Sequence, residues 1–292
     1  MARGEGGEQD ELFADVVICA EGANSLLAEK SGLRQPIKPA NRVLSVKEII
    51  KLPQEVVEDR FHLEADQGVA LEYFGEAVKG MLGSGFIYTN RDSISVGVGC
   101  HLEDFLEKKI SPNDLLEHFK SHPRVRPLVR GGEIVEYSAH MIPEESYDEL
   151  PEMVDDGLIL VGDAAGLINP SLYHEVTNLA MASGLFAAET VIEAKEKSDF
   201  SKATLSAYRN KLEDSFVLKD MFHFRHVIGF LKRHKQVLNK YPDLFIELLV
   251  DYFTVSETPK KQVRKEVLRN FRKNIKLAAF LRDMWAARGA ML

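Results

Sequence analysis

Apolar positions along this chain follow two rhythms, and the change from one to the other divides it. Residues 14–20 form a short, β-branched and apolar run, the pattern of a strand buried on both faces of a parallel sheet. That run passes through Glu21-Gly22-Ala23-Asn24-Ser25 into a short helical stretch, residues 26–30, stopped by Gly32. From residue 43 the character changes. Residues 43–52, 69–74, 80–88 and 93–99 read as strands, separated by turn residues such as Asn90-Arg91-Asp92. Their close spacing without intervening helices predicts an antiparallel sheet. Helical patterns follow over 102–109 and 113–122, the second capped by Ser111 with Pro112 at its first position, and residues 134–141 return as a strand.

A second wholly apolar strand is expected at residues 157–162, ending in Asp163-Ala164-Ala165-Gly166. A long helix over 175–195 comes next, with Ala180, Gly184, Ala187 and Ala188 as a small-residue stripe suited to close packing on a sheet. From Ser201 onward the pattern is helical, with breaks near Pro242 and Pro259. Tyr241, Leu244, Phe245, Leu248 and Leu249 are expected in the core. The order is half a parallel layer, an antiparallel insert, the other half of the layer, and a helical tail.

Composition narrows the classes. With 292 residues, 45% of them apolar, the chain can bury a substantial core and is long enough for two domains. It has no long uncharged apolar run, so no transmembrane helix is expected, and its polar, Gly/Glu-rich start does not read as a signal peptide. A formal net charge of −8 gives no reason to expect nucleic-acid binding. Cys19 and Cys100, each inside an apolar run, read as buried reduced thiols of a cytoplasmic protein. Two cysteines cannot supply the four thiolates that normally hold an iron–sulfur cluster.

The chemistry-bearing stretch is residues 158–166. A buried strand ending in Gly162-Asp163 puts a carboxylate at the C-terminal edge of a parallel sheet, where ligands of open α/β folds bind. Asp163 is either an acceptor for sugar or ribitol hydroxyls or a simple cap on a strand-to-helix turn. The following helix N-terminus offers N–H groups and a positive dipole end to a carbonyl or phosphate. His118 and His122 stand four apart on a helix, but no third ligand is evident, and they read as surface residues. His223 and His226 read as structural or interfacial. The basic run Lys260, Lys261, Arg264, Lys265, Arg269, Arg272, Lys273 and Lys276 is either a solvated helix face or a surface for anionic lipid or an acidic partner.

Taken together, Ala20-Glu21-Gly22-Ala23-Asn24-Ser25 and Gly162-Asp163-Ala164-Ala165-Gly166 resemble the later FAD fingerprints of glutathione-reductase-type flavoproteins. Asn169-Pro170, the stretch from Tyr173 to Gly184, Glu213 to Met221 with Phe224-Arg225-His226, and Glu136 to His140 with Pro143 resemble the electron-transfer-flavoprotein:quinone oxidoreductases. The scarcity of cysteine is similar to the nitrogen-fixation-associated, cluster-free branch. The resemblance runs from about Asp15 to Trp285.

It implies an α/β fold with an antiparallel sheet insert: an FAD/NAD(P)-binding, glutathione-reductase-like layer, incomplete at the N-terminus, plus a helical C-terminal tail. The expected domains are a partial FAD-binding domain at 1–40 and 142–225, an antiparallel β domain for substrate or quinone at 41–141, and a helical region at 226–292. The implied function is an FAD-dependent oxidoreductase subunit passing electrons from an electron-transfer flavoprotein toward quinone or a ferredoxin-like iron–sulfur protein, with peripheral membrane contact. The implied cofactor-binding residues are Glu21, Gly22, Asn24, Ser25, Gly162, Asp163, Gly166, Val176, Thr177 and Asn178; no acid/base catalyst or metal ligand is implied. Two departures stand out. No Gly-x-Gly-x-x-Gly lies between a strand and a helix, since the pairs Gly4/Gly6, Gly83/Gly85 and Gly97/Gly99 do not complete it, and a truncated chain is expected. Val176 stands where the family has glycine. Two other readings are a flavoenzyme similar to geranylgeranyl reductases, and a truncated, non-catalytic interaction subunit.

Overall fold

A computed structural model describes residues 2–3, 9–171 and 175–291. After a two-residue antiparallel pair, Ala2–Arg3 with Gln9–Asp10, come β1 Val17–Cys19, α1 Leu26–Ser31, β2 Arg42–Lys51, α2 Gln54–Phe61, β3 Ala70–Tyr73, β4 Gly83–Thr89 and β5 Ser93–His101. Next come α3 Leu102–Lys108, α4 Pro112–Ser121, α5 Arg126–Val129, β6 Glu133–Pro143, β7 Val154–Asp155 and β8 Leu158–Leu160. Helices complete the chain: α6 Thr177–Lys197, α7 Lys202–Leu205, α8 Ala207–Asp214, α9 Phe216–His223, α10 Val227–Arg233, α11 Lys240–Phe253, α12 Lys260–Asn274 and α13 Leu277–Met291. Contacts divide the chain into two units, residues 1–37 with 143–225 and residues 38–142 with 226–292. The helical tail falls in the same unit as the antiparallel sheet, whereas the sequence suggested a separate region.

In the first unit, β1 and β8 run parallel, Val17 to Cys19 pairing with Leu158 to Leu160, and β7 joins β8 antiparallel. The core gathers Cys19, Ile159, Leu160, Leu179, Ala187, Tyr208, Leu212 and Val217. Helix α6 turns Leu179, Ser183, Ala187, Thr190 and Ala194 inward at helical spacing. The predicted packing stripe is therefore only half used: Ala187 is buried, but Gly184 meets nothing within 4 Å and Ala188 is exposed. Tyr208 reaches across the core and donates its hydroxyl to the Leu160 carbonyl at 2.9 Å. Burial pushes the Tyr208 phenol up, so it remains a donor at any working pH.

The first strand departs from expectation. Only Cys19 is buried, while Val17 and Ile18 are 44% and 41% exposed. Among the described strands β1 has a neighbour on one side alone, so its other edge lacks the flanking strand that a sheet interior would supply.

The second unit holds a five-stranded sheet in the order β3-β4-β5-β2-β6. The pairs β3–β4, β4–β5 and β5–β2 are antiparallel, as the alternating pattern predicts. Val46, Ile50, Ile87, Ile94, Val96, Val98, Phe105, Leu115, Leu116 and Phe119 form its core. Gly97 sits opposite Phe86, and an added Cβ there would stand 2.2 Å from the ring. The missing side chain is thus the space the ring occupies. Helix α4 begins as expected, Ser111 Oγ accepting the Asp114 N–H at 3.0 Å with Pro112 at the first position. Helix α2, between β2 and β3, was not expected. Pro53 precedes its first turn, and Val57 anchors it in the core.

The breaks in the tail fall as the prolines suggest. Pro242 is accommodated in the first turn of α11, where an N–H has no intrahelical partner, and Pro259 immediately precedes α12. The expectation that the 230–253 segment is core is corrected in part. Phe230 and Leu244 are buried, whereas Phe245, Ile246, Leu249, Val250 and Phe253 on α11 are exposed. Helix α13 is fastened by Asp283, a wholly buried carboxylate. It accepts from Tyr241 Oη at 2.6 Å, Gln236 Nε2 at 2.7 Å and His234 Nδ1 at 3.0 Å, with Arg282 alongside. Burial opposes its charge, but these donors outweigh it and hold the carboxyl down at about 2.

Candidate functional site

Parallel strands deliver their following turns to one edge of a sheet. Here Cys19 and Leu160 are register partners, and the Val161 N–H donates to the Cys19 carbonyl at 3.0 Å. The Gly22–Asn24 turn after β1 and the Gly162–Ala165 turn after β8 therefore lie side by side on that C-terminal edge. The sequence placed its two most specific motifs on these turns, and the fold brings them together.

The first turn is shaped by backbone that side chains rarely adopt. Gly22 has φ +68, and Ser25 is left-handed at φ 46, buried, with its Oγ donating to the Gly22 carbonyl at 3.0 Å. Glu21 is engaged locally. Its carboxylate accepts the N–H groups of Leu27 at 2.9 Å and Ala28 at 2.8 Å, capping α1 from outside the helix. Burial, and then the Glu21 charge, push the neighbouring Cys19 thiol up. Asn24 is exposed.

The second turn is gripped from both sides. Gly162 has φ +56, and a Cβ there would press to 3.3 Å from the Ala180 side chain of α6. Its buried N–H donates to Ser183 Oγ at 3.0 Å, while that hydroxyl donates to the Ala180 carbonyl at 2.7 Å. On the other side, Arg34 pairs with Glu145 in the interior and donates through Nη1 to the Ala164 carbonyl at 2.8 Å. Gly166, at φ +70, leaves room for this pair; a Cβ would approach Glu145 Oε2 to 3.0 Å. Asp163 remains partly open at the edge between these fixed neighbours.

After the turn the chain returns to α6. Asn169 donates its backbone N–H to the Glu175 carbonyl at 2.9 Å and its Nδ2 to the Glu175 carboxylate at 2.9 Å. The same carboxylate accepts from Asn178 Nδ2 at 2.9 Å. Leu172, Tyr173 and His174, part of the sequence resemblance, lie outside the described residues. Val176 precedes α6 with φ −132, a value open to a β-branched residue, and no side-chain cap covers the helix start. Thr177 and Asn178 are exposed there.

All ten predicted site residues thus lie in the first unit. Two small turns, a partly open carboxylate and an uncapped helix N-terminus fit a ligand carrying hydroxyls and anionic or carbonyl oxygens. Sequence reasoning missed the residues that hold the site, namely Arg34, Glu145, Ser183 and Tyr208. Their trace in the sequence is slight: a serine inside a small-residue stripe, and an arginine and a glutamate more than a hundred positions apart.

The histidine pairs stay apart from this site. His118 and His122 direct Nε2 to opposite oxygens of Glu76, at 3.1 and 3.4 Å, and no metal-holding group of three ligands exists among the described residues. His223 and His226 are exposed. No described helix is long and apolar enough to cross a membrane.

Known proteins resemble this chain over most of its length. Residues 227–292 match the model of the ETF-QO/FixC family C-terminal domain. Protein FixC of Azorhizobium caulinodans is 43% identical over 263 residues, 89% of this chain and 60% of the relative. The probable electron transfer flavoprotein-quinone oxidoreductase YdiS of Escherichia coli is 40% identical over 275 residues, 94% of this chain and 64% of the relative. The chain thus spans about three-fifths of the length of these curated relatives. Among solved structures, a geranylgeranyl bacteriochlorophyll reductase-like protein from Thermoplasma acidophilum shares the fold with a TM-score of 0.61 at 20% identity, over 90% of this chain and 62% of that one. CmlS, a flavin-dependent halogenase, does so with a TM-score of 0.56 at 19% identity, over 92% of this chain and 45% of its own.

Proposed function

Because this chain belongs to the ETF-QO/FixC family, we propose that its first unit contributes to an FAD site and that the protein is a flavin-dependent electron-transfer oxidoreductase. Its electrons come from an electron-transfer flavoprotein and leave toward quinone or a ferredoxin-like iron–sulfur partner. The observation that carries this reading is the meeting of the Gly22 and Gly162 turns on one edge of a parallel strand pair.

FAD, when bound, supplies the redox chemistry. The residues supply position. Asp163 accepts ribitol hydroxyls; Gly162 and Gly166 keep the turn thin enough for a ligand to approach the backbone. Thr177 and Asn178 offer backbone N–H groups from the start of α6, with Val176 setting their approach. Gly22, Asn24 and Ser25 shape the neighbouring turn. Glu21 acts through α1, whose first turn its carboxylate holds.

The second unit supports a peripheral membrane contact for a quinone-directed protein. Exposed Phe245, Ile246, Leu249, Val250 and Phe253 on α11 adjoin α12, which carries Lys260, Lys261, Arg264, Lys265, Arg269, Arg272 and Lys273. Apolar insertion beside a cationic face suits anionic lipid. A prenyl-reductase reading has the shared fold alone behind it, and fold does not carry substrate.

The test is a titration of flavin fluorescence with the purified chain, and with the chain joined to the FixC portion it does not span. Asp163→Asn should weaken retention. So should Thr177→Pro, which removes one N–H at a position where helices tolerate proline. Val176→Gly should strengthen it. Absence of saturable flavin binding in every form would end the reading.

A further inference from the structure

Glu175 lies between the second turn of the site and the start of α6, and the proposed function gives it no part. Its place is fixed from both sides. The Asn169 N–H donates to the Glu175 carbonyl at 2.9 Å, an isolated antiparallel bridge. Asn169 is wholly buried, and its Oδ1 accepts the Ser171 N–H at 3.1 Å. That bond settles which way the amide faces, so its Nδ2 points to Glu175 Oε2, at 2.9 Å. The other oxygen, Oε1, accepts from Asn178 Nδ2 at 2.9 Å. Both carboxylate oxygens are thus held by side-chain amides, one from before it in the chain and one from the first turn of α6. This is not the usual arrangement at a helix start. A carboxylate just ahead of the first turn ordinarily caps it by accepting backbone N–H groups. Here no side chain caps those N–H groups, and the carboxylate that could do so is taken up by Asn169 and Asn178. The first turn stays open to a ligand, yet a negative charge is held one asparagine side chain away from it. An open helix end attracts phosphate and carbonyl oxygen alike, whereas the Glu175 charge repels a phosphate far more strongly than a neutral carbonyl.

We propose that Glu175 sets what the start of α6 accepts: its carboxylate, held by Asn169 and Asn178, turns anionic groups away in favour of a neutral carbonyl and, with FAD bound, disfavours the reduced ring. Glu175 is a specificity-determining residue that acts through its charge, and Asn169 and Asn178 are its positioning residues. The second half of the proposal rests on the FAD reading. The ring carbonyls of a flavin gain negative charge on reduction, so a fixed carboxylate at the helix end that meets them lowers the reduction potential. A bare helix N-terminus would raise it. The first half needs no flavin, because it concerns any anion brought to the N–H groups of Thr177 and Asn178.

The experiment compares the wild-type protein with Glu175→Gln and Glu196→Gln. Glutamine keeps an acceptor for Asn169 and removes the charge. Glu196, exposed toward the other end of α6, controls for the loss of a charge as such. In the chain without flavin, the Thr177 and Asn178 amide resonances are followed while inorganic phosphate is added. Glu175→Gln should tighten the phosphate response about threefold or more, the order expected from removing one nearby like charge in water. Glu196→Gln should respond as the wild type does. The midpoint potential of bound FAD is then measured by dye-coupled reduction in whichever form retains flavin, the chain alone or the chain joined to the FixC portion it does not span. Glu175→Gln should raise it, up to the about 30 mV that corresponds to a tenfold change for a two-electron couple, and Glu196→Gln should not. Equal phosphate responses in the wild type and Glu175→Gln overturn the proposal, and so does a response that Glu196→Gln tightens as much. A midpoint potential that Glu175→Gln leaves unchanged or lowers also overturns it. If no form retains flavin, the FAD reading ends, and the phosphate titration alone decides whether Glu175 governs this helix end.

Discussion

The hydroxyl of Ser183 accepts the Gly162 N–H at 3.0 Å, so the turn that ends β8 is held by the helix that follows it, from a residue 21 positions downstream. That donor is buried, so loss of the hydroxyl strands it. Ser183→Ala should destabilise the first unit by about 1–3 kcal/mol, the usual cost of stranding a buried polar group. Urea unfolding followed by tyrosine fluorescence measures it, and an unchanged midpoint would show that the turn does not depend on this bond.

The Arg34–Glu145 pair braces the other side of the same turn through the Ala164 carbonyl. Both side chains are almost fully out of water. Glu145→Leu alone leaves a buried guanidinium charge and should cost about 3–5 kcal/mol. The double change Arg34→Met with Glu145→Leu should cost less than the single one. A thermodynamic cycle showing simple additivity would contradict a coupled buried pair.

Asp283 predicts a pH dependence with a definite sign. Its folded-state carboxyl titrates at about 2, below the unfolded value, so its contribution is complete above about pH 4 and is lost as pH falls toward about 2. Urea midpoints should be alike at pH 7 and 5 on this account and drop below pH 4. Asp283→Asn should lower the midpoint at neutral pH and flatten the acid limb, because the stabilising charge is already gone.

Gly97→Ala tests the second unit. The new methyl would meet the Phe86 ring at 2.2 Å, and that ring is already stacked on Tyr88 at 4.9 Å. Overpacking should cost about 1–3 kcal/mol, and Phe86→Leu in the same chain should recover part of it. A thermal melt resolves the difference.

Much of this architecture is written in local pattern. The antiparallel strands declare themselves because short extended runs follow one another closely, separated by turn residues and no long helix, and Ser111-Pro112 announces α4 without ambiguity. What the pattern could not give was environment. Val17 and Ile18 look like interior residues since composition cannot say whether a neighbour strand is present. Phe245 and Leu249 look like core for the same reason. Helix α2 escaped notice because it is eight residues long with a single buried anchor, Val57, too little for a periodic signal. At the candidate site, the glycines and Asp163 were visible in the motif. Arg34, Glu145 and Ser183 were not, because their partners are defined by the folded chain and lie up to 130 positions away.

The placement of the two cysteines has a practical side. One buried thiol, Cys19, belongs to the first unit and the other, Cys100, to the second. Each can be alkylated only when its own surroundings open, so labelling rates under native conditions time the two halves independently. The natural sequence already carries one reporter per half, and whether they breathe together or separately can be read by mass spectrometry without engineering a probe.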